Sequence, residues 1–156
     1  MALLVGRYVN KIDKKGRVSV PKPFRDSFKG QGFSGLYAYP LFKVPAIEAC
    51  DEAFMIRLSS SLEDLDMFSD DHDDLASVIL ENAHPLPFDP EGRIVLPGEL
   101  LEYANISAQA VFVGRGGRLQ IWDPDSYAKH SLQAFERART RGATLRLRKE
   151  TEEGTP

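Results

Sequence analysis

The residues best suited to chemistry stand together in one short segment, Asp13-Lys14-Lys15-Gly16-Arg17. Asp followed closely by Gly predicts a tight turn, because the carboxylate accepts backbone N–H bonds and glycine adopts a positive φ without steric cost. Two lysines at the tip present positive charge, and the arginine beside them offers a planar fork of donors. The segment therefore predicts a surface that binds phosphate oxygens or the edge of guanine.

The charged residues of this segment admit alternative roles. Arg17 could pair structurally with Asp13 across the turn, or it could contact a phosphate or a guanine edge. Asp13 is expected to orient the loop and Arg17, because phosphates would repel a carboxylate that faced them. Lys14 and Lys15 are predicted phosphate contacts, with a merely solvated turn as the alternative.

The segment recurs in the second half of the chain. Asp13 to Pro21 reads Asp-Lys-Lys-Gly-Arg-Val-Ser-Val-Pro, and Asp89 to Pro97 reads Asp-Pro-Glu-Gly-Arg-Ile-Val-Leu-Pro. The Asp, Gly, Arg and Pro are identical, and the apolar positions keep their class. The flanks align at the same offset: Ile12 with Phe88, Phe24 with Leu100, and Phe28 with Ala104. Two copies of one structural unit are predicted.

Each copy predicts the same order of elements. A turn leads into a short strand that Pro ends, a short helical turn follows, and strands return at 36–39, 110–113 and 119–122. Arg115-Gly116-Gly117-Arg118 predicts the hairpin between the last two. Longer helices are predicted from apolar residues at helical spacing (Ile47, Cys50, Phe54, Leu58; Leu75, Val78, Ile79, Ala83) and from the Asp123-Pro124 start signal.

A unit of ~45 residues is too small to bury its own core, so the copies must pack on each other or interleave strands. We therefore expect an α+β fold, mainly β, in which two repeats form one composite β-barrel with flanking helices. The predicted division is repeat 1 at 7–54, an acidic helical connector at 55–82, repeat 2 at 83–126, and a C-terminal helix with a basic, partly disordered tail at 127–156.

The net charge of −3 conceals strong segregation along the chain. Residues 1–30 carry eight bases against two acids, residues 48–84 carry eleven acids against one base, and residues 129–149 carry seven bases against one acid. Salt screening confines each patch to about 8–10 Å, so local charge decides what a surface attracts. The basic segments permit a nucleic-acid partner despite the acidic total.

The chain resembles the MraZ family over roughly residues 3 to 135. The resemblance lies in the two Asp-x-x-Gly-Arg-[Val/Ile]-x-[Val/Leu]-Pro segments, Val113-Gly114, and the closing Ile121-Trp122-Asp123-Pro124. That family is a two-repeat member of the SpoVT–AbrB swapped-hairpin group. The resemblance implies a bacterial transcription regulator that assembles into a ring. It also implies binding to repeated boxes upstream of the division and cell-wall gene cluster that includes its own gene.

The family's Asp-x-x-x-Arg motif lies on the DNA-binding face, which by position implies Asp13 and Arg17, and by symmetry Asp89 and Arg93. The window 77–106 of repeat 2 holds only Arg93 against five acids, so repeat 1 is predicted to contact DNA while repeat 2 completes the fold and the subunit interfaces. The predicted DNA contacts are Arg7, Lys11, Asp13, Lys14, Lys15, Arg17, Lys22 and Arg93. The basic tail from Arg137 is either solvated or an auxiliary nonspecific DNA contact.

Other functions find little support in the sequence. No nucleophile–base pair or phosphate-cradling loop predicts an enzyme, and no cofactor, metal, membrane or small-molecule substrate is expected. The lone Cys50 predicts a buried apolar residue in a reducing compartment, hence a cytoplasmic, nucleoid-associated protein without a secretion signal. The acidic run 69–74 predicts a helix start over a metal site. An AbrB-like antitoxin that neutralises a toxin remains the alternative function.

Overall fold

A computed structural model describes residues 3–150, and within them the two repeats are built from matching elements. Repeat 1 contains β1 (Arg7–Lys11), β2 (Arg17–Ser19), α1 (Lys22–Arg25), β3 (Gly35–Leu41) and β4 (Ala46–Cys50). The connector contains α2 (Glu52–Leu62) and α3 (Asp70–Leu75). Repeat 2 contains β5 (His84–Pro87), β6 (Arg93–Val95), α4 (Gly98–Tyr103), β7 (Gln109–Gly114) and β8 (Leu119–Trp122), and α5 (Pro124–Arg141) closes the chain.

The two repeats interleave their strands, which is one of the two arrangements expected from the sequence. A six-stranded antiparallel sheet has the order β1-β7-β8-β4-β3-β5. The first strand of each repeat pairs with the other repeat: β1 lies against β7, and β5 lies against β3. Strands β4 and β8 join the halves at the centre. The α+β, mainly β, swapped-hairpin class is confirmed.

A two-stranded ribbon of β2 and β6 closes over one face of this sheet. Val18 and Ile94 pair directly in the ribbon and are buried in the main core. Phe24 from α1 and Leu100 from α4 enter the same core, and Phe112 enters it from the sheet. The sheet itself ends at β1 and β5, so sheet and ribbon enclose one core between them instead of forming a continuously hydrogen-bonded barrel.

The helix expected from Ile47 to Leu58 is wrong in its first part. Ala46–Cys50 is a central strand, and every residue in it is buried. Asp51 then caps α2 by accepting a hydrogen bond from the Phe54 N–H at 2.8 Å. A short apolar run that ends at a capping residue is typical of a strand buried on both faces, and its helical spacing was coincidental.

The outer face of the sheet buries one carboxylate. Glu48 accepts a hydrogen bond from the Tyr39 hydroxyl at 2.6 Å and pairs with the Arg118 Nε at 3.0 Å. Burial, and then Glu48, raise the pKa of Tyr39, so the hydroxyl remains a donor. Gln120 links this group to Trp122, whose indole N–H donates to the Gln120 side chain at 2.8 Å. The only charged side chain buried in residues 3–150 is thus satisfied.

The helices outside the repeats follow their capping signals. Ser69 accepts a hydrogen bond from the His72 N–H at 3.1 Å, so the acidic run starts α3 as predicted. Within residues 3–150, no group of acidic, His or Cys side chains could hold a metal. Asp123 caps the start of α5, and Gly142, with φ +63°, follows its last residue as the C-cap. None of the helices in the described part of the chain combines the length and apolarity of a membrane span. Disorder is expected from the sequence for residues 150–156, of which 151–156 lie outside the described range.

Candidate nucleic-acid interface

The first turn, Asp13-Lys14-Lys15-Gly16, is held by a single carboxylate. Oδ1 of Asp13 accepts the backbone N–H groups of Lys15 and Arg17, each at 2.9 Å. Oδ2 accepts Nε of Arg17 at 2.6 Å. Gly16 adopts φ +82°, as the turn requires. The Arg17 N–H leads these interactions in lowering the pKa of Asp13, so the carboxylate stays charged and keeps the turn closed.

The second turn, Asp89-Pro90-Glu91-Gly92, repeats this geometry. Asp89 accepts the N–H groups of Glu91 and Arg93 at 2.9 Å and Nε of Arg93 at 2.7 Å. The Arg93 N–H likewise leads in lowering the pKa of Asp89. The structural ion pair between Asp and Arg is therefore present in both copies, and at this level the repeat is symmetric.

The two turns differ in what remains free to bind. Lys14 and Lys15 are exposed and form no ion pair within residues 3–150. Glu91 stands where Lys15 stands in the first turn, and it binds Nη2 of Arg93 at 2.7 Å. The terminal nitrogens of Arg17 make no hydrogen bond within the same residues. The first turn thus presents unpaired positive charge, while Arg93 is held between two carboxylates.

Both arginines lie on the outer face of the ribbon. Arg17 pairs with Val95 and Ser19 pairs with Arg93, while their neighbours Val18 and Ile94 point into the core. The two arginines occupy diagonal positions, and residues so placed lie ~7–8 Å apart. The hydrogen bond that Arg93 donates to Asp89 is the main cause that raises the pKa of Arg93, and the charge of Asp13 adds to it. The two turns leave the ribbon at opposite ends.

Some of the residues predicted from sequence lie away from the turns. Arg7 projects to the opposite face of the six-stranded sheet, where its guanidinium lies 5.7 Å from the centre of the Tyr127 ring on α5. Lys11 projects to that face too, because it lies four residues after Arg7 on the same strand and side chains alternate between faces. The structure therefore does not bring Arg7 to the ribbon, because strand alternation places it on the face opposite Tyr8, which packs against Phe24 of α1.

The structure brings Lys22 to the second turn instead of the first. Lys22 begins α1 and forms an exposed ion pair with Asp26 at 3.5 Å. Together with Arg25 and Lys29 it lines a cavity of about 580 Å³ that Gly92 also lines. Neither Arg25 nor Lys29 is among the DNA contacts that the sequence predicts. The signal available in the sequence is the offset between the repeats, which aligns the cation at position 25 with Leu101.

The fold and this site define a two-repeat, swapped-hairpin protein of the SpoVT–AbrB kind. A model of the family described as "MraZ protein, putative antitoxin-like" matches residues 79–148. Proteins called Transcriptional regulator MraZ show high similarity over most of the chain. The one from Pelagibacter ubique is 40% identical over 147 residues, which is 94% of this chain and 95% of that protein.

Two further relatives carry the same name. The protein from Parvibaculum lavamentivorans is 46% identical over 133 residues, 85% of this chain and 83% of its own length. The protein from Rickettsia akari is 38% identical over 146 residues, 94% of this chain and 98% of its own. The chain belongs to the MraZ family, a family of transcriptional regulators and not of enzymes.

Proposed function

We propose that this chain regulates transcription by binding double-stranded promoter DNA through its first turn. The observation that carries the proposal is the free positive charge of that turn: Lys14 and Lys15 are exposed, and Arg17 is aimed by Asp13 while its terminal nitrogens stay unbound. Lysines at the tip suit phosphates, and a guanidinium fork suits a guanine edge. Asp13 acts by positioning and touches no DNA.

The geometry also supports unequal roles for the two motif arginines. Arg93 is engaged by Asp89 and by Glu91, so a phosphate would have to compete with two carboxylates. Arg17 has one such partner. We expect Arg17→Ala to weaken DNA binding much more than Arg93→Ala, and equal losses would overturn the asymmetry.

The test is a titration of the chain's own upstream DNA at several salt concentrations. If 6–10 phosphates are engaged, affinity falls ~10³–10⁵-fold between 50 and 200 mM salt. Lys14→Gln with Lys15→Gln should weaken binding and lower the salt slope by about 2. Lys43→Gln is the matched control, because Lys43 is exposed beyond the end of β3 that lies away from the second turn. A flat salt response of the unaltered protein would refute DNA binding.

We further propose that the chain assembles with copies of itself into a ring. Leu132 and Phe135 lie one turn apart on α5 and are 63% and 64% exposed. The acidic segment 48–84 and the basic segment 129–149 are complementary in charge. A contact between two different patches is head-to-tail, and such contacts form a ring where the rotation between neighbouring subunits closes. A ring would present several first turns to repeated boxes and raise avidity by ~10²–10⁴.

Self-association is tested by substituting the exposed apolar pair. Leu132→Glu with Phe135→Glu should reduce the mass measured by light scattering and weaken binding to repeated boxes more than binding to one box. The substitution Ala128→Glu, on an exposed position one turn earlier, would show how far the patch extends along the helix. An unchanged mass for the double variant would exclude α5 from the interface.

The family resemblance supports the division and cell-wall gene cluster, including the chain's own gene, as the target, and the cytoplasm and nucleoid as the location. A gel shift with the chain's own upstream region tests the target. The second candidate function is an antitoxin, which the description of the matching family also mentions. Co-purification with a small toxin would favour it, and specific binding to the upstream region without such a partner would favour the regulator.

A further inference from the structure

The far end of the ribbon carries a guanidinium that its symmetry partner lacks. In repeat 2, Leu101 packs against the first turn, 3.7 Å from where a Cβ on Gly16 would lie. The aligned residue of repeat 1 is Arg25, which packs in the same way against the second turn, where a Cβ on Gly92 would overlap its Nη1. An apolar contact at one end of the ribbon is thus replaced by a cation at the other.

Arg25 has no partner within residues 3–150. No carboxylate of that range lies within ion-pair distance of it, and its Nε is enclosed without a hydrogen bond. A half-buried cation without a partner is costly, so its retention needs an explanation beyond packing. A leucine at the aligned position shows that the packing role alone does not require a charge.

Two lysines surround this guanidinium. Lys22 and Lys29 both pair with Asp26, at 3.5 Å and 3.3 Å, and both are largely exposed. We define the α1 patch as the four residues Lys22, Arg25, Asp26 and Lys29. It contains three basic residues and one acidic residue, the same charge balance as the first turn together with Arg17. Across the cavity lies Asp89, whose carboxylate is already occupied by Arg93.

The ribbon has the length that separates the walls of a DNA groove. Gly16 and Val20 are four residues apart, roughly 14 Å in a strand, and the paired residues of β6 run back over the same distance. The major groove of B-DNA is ~12 Å wide and admits a two-stranded ribbon. A ribbon in the groove would place its two ends near the two phosphate backbones, with Arg17 and Arg93 between them.

We propose that the α1 patch is a second anchor for DNA phosphates, at the opposite end of the ribbon from Lys14 and Lys15. This inference rests on the proposed function and adds to it a clamp of both backbones. Arg25 and Lys29 supply the contacts in addition to the already predicted Lys22. The second turn has little positive charge of its own. Because the strands are interleaved, residues of repeat 1 supply positive charge beside it.

The experiment compares salt slopes and phosphate interference. Arg25→Gln and Lys29→Gln should each lower the slope of log affinity against log salt by about 0.9. The affinity loss should be equal for the upstream region and for unrelated duplex, because phosphates carry no sequence information. Ethylation interference should show two clusters of phosphates on opposite strands. One cluster should persist in the variant Lys14→Gln with Lys15→Gln. That same cluster should vanish in the variant Arg25→Gln with Lys29→Gln.

Three controls keep the outcome decisive. Lys43→Gln removes one exposed charge elsewhere and should leave both clusters. Arg25→Lys retains the charge and should keep most of the slope, which separates charge from packing. Lys29 is exposed, so Lys29→Gln alone carries the test should Arg25→Gln prove unfolded by circular dichroism.

The failures of the two proposals differ. If the first-turn variant weakens binding while the α1 patch variants behave like Lys43→Gln, the second anchor is refuted and the proposed function stands. A salt-insensitive or absent interaction of the unaltered protein with DNA would overturn both.

Discussion

Replacing Gly16 by alanine tests whether the first turn and the ribbon form one mechanical unit. Gly16 adopts φ +82°, and its carbonyl accepts the Leu96 N–H at 2.9 Å. A Cβ at this position would lie 2.8 Å from the Leu96 carbonyl oxygen, which is backbone and cannot rotate away. The variant must therefore either distort the turn or move the second strand of the ribbon.

The expected cost has two parts. An alanine at a left-handed φ costs ~1–2 kcal/mol. Displacing the strand would also weaken the hydrogen bond to Leu96, worth a further ~0.5–1.5 kcal/mol. Gly116→Ala is the matched comparison, because Gly116 adopts φ +85° with no atom within 4 Å of the added Cβ. It should lose the first part only, so Gly16→Ala should be the less stable variant by about 1 kcal/mol.

The assay is urea unfolding of both variants at one protein concentration, followed by DNA titration of the folded proteins. Gly16→Ala should bind DNA less tightly, because Lys14, Lys15 and Arg17 follow the displaced turn, while Gly116→Ala should bind normally. Equal stabilities for the two variants would show that the close approach to Leu96 carries no energy. Unchanged DNA affinity for Gly16→Ala would show that the shape of the turn is irrelevant to binding.

Further predictions concern the remainder of the fold. Glu48→Gln should lower the free energy of unfolding in urea by ~1–3 kcal/mol, less than for a fully buried ion pair because Arg118 is half-exposed; a neutral effect would contradict this. Burial raises the pKa of Cys50 to about 12, so thiol reagents at pH 8 should label it only after unfolding, and labelling of the native protein would contradict its placement. Burial, and then nearby arginines, lower the pKa of His130. Its contribution to stability should be complete above pH ~6.5 and fall below it. The Trp122 ring centre lies 4.6 Å from that of His130. Trp122 fluorescence should therefore change as His130 is protonated, and His130→Gln should abolish that change.

The local chemistry of the turns could be predicted from sequence because it depends on neighbours in the chain. Asp and Gly at fixed spacing predicted the turns, and their repetition predicted two matching units that need each other for a core. The sequence alone leaves open whether Arg17 pairs with Asp13 or stays free for DNA. The structure explains why, because Nε is bound while the terminal nitrogens are not.

Properties that depend on distant parts of the chain were not predictable in this way. The sequence does not distinguish packing of the repeats from exchange of their first strands. Around Ile47 it carries two conflicting signals, because the helical spacing up to Leu58 competes with a short apolar run that is typical of a buried strand. Counting charge repeat by repeat also misled, because Arg25 belongs to repeat 1 in sequence and to the second turn in space. A charge sum over a segment describes a surface only where that segment does not interleave with another.

The identical backbone of the two turns allows charge to be separated from shape. Pro90→Lys with Glu91→Lys would give the second turn the tip of the first without altering the bonds to Asp89, and would free the Nη2 of Arg93. If the ribbon lies in a groove with both ends near phosphates, the variant should bind any duplex more tightly and steepen the salt slope by up to ~2. Glu63→Lys with Asp64→Lys, on the exposed connector, raises the net charge by four, against three for the turn variant, and should leave the slope nearly unchanged. Equal slopes for the two variants would mean that net charge alone acts, and that the second end of the ribbon never approaches the backbone.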